Sequence, residues 1–372
     1  MKDSLRRSVR IASLALAVGS AVPAFAQVTP AAGAAPVDDT PSFRVGVTIY
    51  ADYTYIDSPT SKDADGNTIH PSAFNVSRAY INVTGNLSHL VSYRITPDIT
   101  RETGAGSSLN GSLTYRLKYA FGQFNFDTFM THGSWARFGV HQTPYLDFME
   151  GIYRYRFQGT MFPEREGFIT SSDFGLSGHY NFPGNYGDLH VGYYNGDGYQ
   201  RVDANNQKAF QGRFSLRPLP LGGVMKGLRL HAFYDADHYI KNGPRDRFVG
   251  TLTYEHPKYV NLGFDYLTTK DRTAITAAEV KSEGWAVWAT PKFIALAESK
   301  PGLEALLRYD NLKPNKNVDA WRHRLIVGLA YWFPMLRGPS ACVLLDMDRQ
   351  TFDTALNRPT DRRYSLHTLF AF

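Results

Sequence analysis

Between Phe43 and Phe372 the chain keeps returning to one pattern, short runs in which apolar and polar side chains alternate. In the first run Val45, Val47, Ile49, Ala51, Tyr53 and Tyr55 share one face, while Arg44, Gly46, Thr48, Tyr50, Asp52 and Thr54 share the other. A period of two is the repeat of a strand with one apolar side. Such a strand fits a soluble sandwich with that side turned inward, or a pore with that side turned to lipid. Alternation alone does not choose between them. Its uniform recurrence, with no helical stretch between runs, points to a closed barrel.

Sixteen such segments can be counted, at 43–57, 72–85, 90–102, 113–126, 134–142, 173–181, 187–196, 207–218, 226–238, 245–256, 259–269, 281–291, 302–311, 320–332, 341–352 and 361–372. An even count brings both ends of a barrel to one side, as in bacterial membrane barrels. The breakers alternate too. Long polar stretches follow the odd segments, at 58–71, 103–112, 143–172, 197–206, 239–244, 270–280, 312–319 and 353–360. The turns between are mostly shorter and carry Gly85-Asn86, Pro183-Gly184-Asn185, His256-Pro257-Lys258 and Pro334 to Pro339. Long loops on one face and short turns on the other are the asymmetry of an outer-membrane barrel, and sixteen strands enclose room for water. The expected fold is an all-β transmembrane antiparallel barrel with a long third loop folded into its lumen.

Composition agrees. Mean hydropathy is −0.32, yet aromatics make up 14% of the residues, and no stretch past the N-terminus approaches a helical span. The last segment ends Tyr364-Ser365-Leu366-His367-Thr368-Leu369-Phe370-Ala371-Phe372. A terminal Phe on an alternating strand is the mark by which outer-membrane barrels address their assembly machinery, so Phe372 is the expected contact.

At the other end, Lys2, Arg6, Arg7 and Arg10 precede an apolar run from Ile11 to Val22 and the small-x-small triplet Ala24-Phe25-Ala26. That is the layout of an export signal over residues 1–26. Residues 27–42 are mostly small residues and prolines and read as a flexible leader, leaving one barrel domain over 43–372. The signal holds four basic residues and one acid, so the chain beyond it carries +3 rather than +6. A nucleic-acid partner loses its compositional support. Cys342 is the only cysteine, which excludes an internal disulfide and cysteine-based metal centres. No cofactor is called for. Asp63-Ala64-Asp65-Gly66-Asn67 has a calcium-loop flavour but lacks the closing bidentate Glu.

One loop is out of scale. Residues 143–172 hold Tyr145, Phe148, Tyr153, Tyr155, Phe157 and Phe162, too aromatic for a solvated loop. The expectation is a constriction folded into the lumen, lined by Tyr145, Asp147, Glu150, Tyr153, Arg154, Tyr155, Arg156, Glu164, Arg165 and Glu166. Its charges sum to −1. If the polar parity of each strand points inward, the first half and Arg213 supply a basic wall: Arg44, Arg78, Arg94, Arg116, Lys118, Arg137 and Arg213. Later strands mix Asp235, Asp237, Asp265, Glu304, Asp310, Asp346 and Asp348 with Arg229, Arg247, Arg308, Arg322 and Arg324. A basic wall opposed by loop carboxylates sets up a transverse field with a modest preference for anions. Tyr145, Tyr153 and Tyr155 offer a second reading, an aromatic track for sugars or other organic solutes.

Four short motifs occur in order: Trp135-Ala136-Arg137-Phe138-Gly139-Val140-His141-Gln142-Thr143-Pro144-Tyr145, Asp173-Phe174-Gly175-Leu176-Ser177-Gly178, Tyr193-Tyr194-Asn195-Gly196-Asp197-Gly198 and Gly212-Arg213-Phe214-Ser215-Leu216-Arg217-Pro218. Over residues 113–220 this set resembles the phosphate-selective porin O and P family. The resemblance implies a sixteen-stranded, homotrimeric outer-membrane channel of a Gram-negative bacterium, set in lipid, with a third loop that narrows the pore for small hydrophilic or anionic solutes. Phosphate-specific members line that eyelet with lysine and a ladder of arginines, whereas loop 143–172 contains no lysine. An outer-membrane enzyme and an adhesin barrel are the alternatives of other classes. Neither GxSxG nor HExxH occurs in the chain.

Overall fold

The computed structural model describes residues 41–203, 205–334 and 340–372. The expected export signal, all but the last two residues of the leader, and most of the turn at 334–339 lie outside them. Sixteen long strands run β1 (Ser42–Ser58), β2 (Ser72–Asn86), β3 (Val91–Arg101), β4 (Leu113–Asn125), β5 (Trp135–Gln142), β6 (Ser172–Asn181), β7 (Gly187–Tyr194) and β8 (Ala209–Leu216). They continue with β9 (Leu228–Ala236), β10 (Gly243–Glu255), β11 (Val260–Asp271), β12 (Val280–Ile294), β13 (Gly302–Lys313), β14 (Arg322–Trp332), β15 (Ser340–Phe352) and β16 (Asp361–Ala371). Each pairs antiparallel with the next. β1 pairs with β16 from Thr48↔Ala371 to Ser58↔Arg362, which closes the barrel. The backbone of Phe372 completes the closure by exchanging hydrogen bonds of 2.8 and 3.0 Å with Val47, and its ring stays exposed.

The outward parity carries the apolar set. Phe138, Leu176, Phe210, Leu230, Phe264, Val287, Leu307, Leu345 and Phe370 are all exposed on the barrel exterior. In water that surface is costly; against acyl chains it is the stabilising contact, and the pairing of β1 with β16 leaves neither terminal strand with a free edge in the bilayer.

Bulges shift the parity at several points, and the pair at Ser77 and Lys118 bears on the lumen. In β2, Tyr50 faces Arg78 but Ala51 faces Val76, so Ser77 is extra; in β4, Thr96 faces Tyr119 but Pro97 faces Leu117, so Lys118 is extra. An inserted residue turns the strand over. Beyond the bulge the inward residues of β4 are Tyr119, Phe121, Gln123 and Asn125.

The wall is also uneven between β2 and β3. Their ladder covers only Val83–Asn86 against Ile95–Ser92. Beyond it the strands are joined by side chains: Arg78 to Asp98 at 2.8 Å, Arg94 and Thr96 to Asn82 at 2.9 and 3.0 Å, and Arg101 to Asn75 at 3.4 Å. Pro97, which has no N–H to offer, falls in this stretch.

The inner wall has two characters. From β9 to β16 it presents Phe233, Val249, Leu267, Trp288, Leu306, Ile326, Leu344 and Leu369, all buried in one apolar cluster with residues of the 143–171 loop. Gly263 lets the Trp288 indole lie against the sheet, where a Cβ would come within 2.2 Å of the ring.

Candidate functional site: the lumen eyelet

The loop between β5 and β6 enters the barrel as two short helices, α1 (Leu146–Tyr153) and α2 (Phe162–Arg165). In α1 the buried residues are Leu146, Met149, Ile152 and Tyr153, spaced three to four apart, so one helix face docks on the apolar wall. The opposite stripe carries Asp147 and Glu150. Arg154 ends the helix at φ 68°, a left-handed turn unusual outside glycine.

The loop fills the β9–β16 side and leaves open space on the β1–β4 side. A cavity of about 270 Å³ lies there, walled by Thr48, Tyr50, Tyr80, Asn82, Arg94, Lys118 and Tyr119 and faced by Asp147, Glu150, Arg154 and Arg156. Tyr119 donates to Asp147 at 2.8 Å. Lys118 donates to the Tyr80 hydroxyl at 3.3 Å and sits over the rings of Tyr80 and Tyr119. Arg94 stacks 4.5 Å from the Tyr119 ring centre and bonds Asn82 and Thr96. Neither Arg94 nor Lys118 has a carboxylate within ion-pair distance among the described residues.

The loop cations are all committed. Arg154 pairs with the buried Glu304 at 3.2 Å, Arg165 with Asp348 at 3.7 Å, and Arg156 lies between Glu150 at 3.0 Å and Glu164 at 3.2 Å. Glu166 pairs closely with Arg322. Two carboxylates on one guanidinium raise the cost of ionising both. Burial pushes the Glu150 carboxyl up to about 8; Arg156 pulls it down and Glu164 pushes it up again.

The tyrosines expected in the pore are not there. Tyr145, Tyr153 and Tyr155 are at most 1% exposed. Tyr145 donates to Asp265 at 2.8 Å, Tyr155 donates to Glu304 at 2.9 Å, and Tyr153 packs edge-on against Trp288. They fasten the loop to the wall because that wall is apolar, so the aromatic-track reading loses its residues.

The basic wall divides in the same way. Arg94 and Lys118 line the cavity. Arg78 is tied to Asp98. Arg116 reaches Tyr199, whose loop folds inward, at 3.1 Å. Arg137 sits over Trp135, 3.7 Å from the ring centre, and bonds Gln123 and Gln142. Arg44 is exposed near the start of β1. Arg213 is not a lumen cation. It is 1% exposed, pairs with Asp188 and donates to the Pro144 carbonyl at 2.6 Å, which holds the loop entrance. The later-strand charges pair partly with one another, as in Arg308–Asp310, Arg324–Asp348 and Arg247–Asp271, and partly with the loop, as in Glu304–Arg154 and Arg322–Glu166.

The four sequence motifs meet around this entrance. Asp173 accepts the Gly196 N–H at 2.8 Å, and Gly196 has φ +100°, with a Cβ there facing the Asp237 carboxylate at 2.7 Å. Gly139 has φ +125° and passes the Ala120 carbonyl where a Cβ would lie 2.3 Å away. Sequence reasoning missed Glu304, Trp288 and Trp332 as loop anchors. The available signal was the run Arg324-Leu-Ile-Val-Gly-Leu-Ala-Tyr-Trp332, apolar on both faces.

No family model matches the chain, and no curated protein sequence does. Solved structures do. An anion-selective porin from Comamonas acidovorans superposes with a TM-score of 0.58 at 13% identity, over 90% of this chain and 100% of that one. The outer-membrane protein OmpT of Vibrio cholerae, one form of which is described as a trimer, gives 0.58 at 11% identity over 90% and 99%. OmpF of Salmonella typhi, in complex with daunomycin, gives 0.56 at 12% identity over 89% and 97%. At these identities the likeness is one of fold: the chain is a closed sixteen-stranded antiparallel barrel of the outer-membrane porin type.

Proposed function

We propose that this chain is a passive diffusion channel of the Gram-negative outer membrane for small hydrophilic solutes, with a modest preference for anions. One observation carries the sign. Arg94 and Lys118 face the cavity with no carboxylate partner among the described residues, whereas the three cations of the loop are each paired. An anion crossing that space meets uncompensated positive charge on one side and Asp147 on the other. Small oxyanions such as phosphate are the narrower form of the reading, supported by the Tyr80 hydroxyl, which accepts from Lys118 and keeps its own proton, and by the motif resemblance over residues 113–220. Assembly as a homotrimer, export through residues 1–26 and insertion through Phe372 belong to the same proposal. The reading assigns no catalytic residue and no cofactor.

Recording single channels in a planar bilayer tests it. Reversal potentials in a potassium chloride gradient should show anions ahead of cations, and added phosphate should reduce chloride current. A clear cation preference refutes the selectivity, and folded protein without conductance refutes the channel.

A further inference from the structure

On the barrel exterior, near the loop ends of β13, β14 and β15, lies a recess of about 250 Å³ lined by Tyr309, His323, Leu325, Arg349 and Thr351. All five are on the outward parity of their strands. The register places Tyr309 opposite Leu325, Leu325 opposite Arg349 and Arg349 opposite Arg362. Two like charges directly opposite on a sheet repel each other. Arg362 is relieved by Asp57, to whose carboxylate it donates at 2.6 Å. Arg349 is exposed and has no acidic partner among the described residues. Beside it the Tyr309 hydroxyl and the His323 Nδ1 are 3.0 Å apart, the His323 Nε2 lies 3.6 Å from the Asp353 carboxylate, and the Trp285 ring flanks Tyr309 at 5.5 Å.

One step further from the loops, the same outward faces turn apolar. Leu307 pairs with Val327, and Leu329 pairs with Leu345, which pairs with Leu366; all five are exposed. An unneutralised guanidinium with hydroxyl and imidazole neighbours, directly above a greasy surface, has the layout of an anionic headgroup over acyl chains. We propose that this recess binds a lipid with a phosphorylated headgroup from the leaflet on the loop side, the phosphate on Arg349 and the chains along Leu307, Val327, Leu345 and Leu366. The inference rests on the barrel lying in an outer membrane, not on its selectivity.

Native mass spectrometry of the folded protein in detergent, titrated with lipid A, tests it. Wild type should retain bound lipid A, and Arg349→Gln should cut the occupancy about fivefold, the worth of one interfacial arginine. Inorganic phosphate at the same concentration should not displace the lipid. Equal retention by wild type and Arg349→Gln overturns the proposal, and so does displacement by free phosphate. Heat-modifiable migration and unchanged conductance of Arg349→Gln establish that the variant is folded. A His323→Ala variant should weaken retention without touching Arg349.

Discussion

Neutralising Lys118 gives the sharpest test of the eyelet. A cavity of about 270 Å³ has the volume of a sphere of about 4 Å radius, so an ion at its centre lies about 6 Å from a lining charge. At that distance in water a unit charge is worth about 0.7 kcal/mol, and screening at 0.1 M salt reduces this to about 0.4 kcal/mol. Lys118→Gln removes that attraction for an anion and the equal repulsion for a cation. The difference is about 0.8 kcal/mol, or about fourfold in the anion-to-cation permeability ratio. Arg94→Gln should act alike, and the double variant should approach about fifteenfold if the two charges act independently. Asp147→Asn should move the ratio about fourfold the other way. The assay is the zero-current potential across a bilayer in a tenfold potassium chloride gradient. An unchanged ratio in Lys118→Gln, or a shift toward anions, refutes the reasoning, because it would mean that ions do not pass the Arg94–Lys118 wall.

Glu304→Ala should free the loop: it strips the half-buried Arg154 of its carboxylate and the buried Tyr155 of its acceptor, at about 1–3 kcal/mol, and should appear as larger, noisier single-channel currents and a lower melting temperature. Gly139→Ala should destabilise the barrel, since the new methyl meets the Ala120 carbonyl at a positive φ; loss of the heat-resistant folded band reports it. Glu150 gives a pH signature. Its folded-state value lies above the ordinary 4.5, so the folded loop holds a proton that the unfolded chain has released between 4.5 and about 8, and stability falls as pH rises through that window. Anion preference should decline over the same rise as the loop gains a negative charge, and Glu150→Gln should flatten both profiles.

Much of the barrel was legible because a period of two leaves little freedom: the sixteen alternating segments coincide with β1 to β16 to within a few residues. What was illegible has local causes. The bulges at Ser77 and Lys118 insert one residue each, and nothing in the alternation around Lys118 distinguishes an extra residue from a continuing strand. Arg116 and Lys118 both point inward, but the parity that carries them inward then passes to Tyr119 and Phe121. The loop was legible as an inserted element from its aromatics. The direction those aromatics face was not, because it depends on an apolar inner wall assembled from eight strands far apart in the chain. Arg213 misled for a related reason: inward parity is shared by residues that meet water and by residues that lie beneath the loop.

The short ladder between β2 and β3 bears on how such a barrel comes apart. A closed sheet is a hoop, and a hoop yields at its weakest clasp. That clasp is not where the chain ends meet, since β1 and β16 share ten register pairs while β2 and β3 share four. Tension around the rim concentrates on the Arg78–Asp98 pair and the Asn82 bonds rather than on the terminal strand. Amides along Ala73–Ile81 that point toward β3 have no ladder acceptor there and are therefore the first to exchange with solvent deuterium, and the wall peels from inside the sequence while its two ends stay fastened.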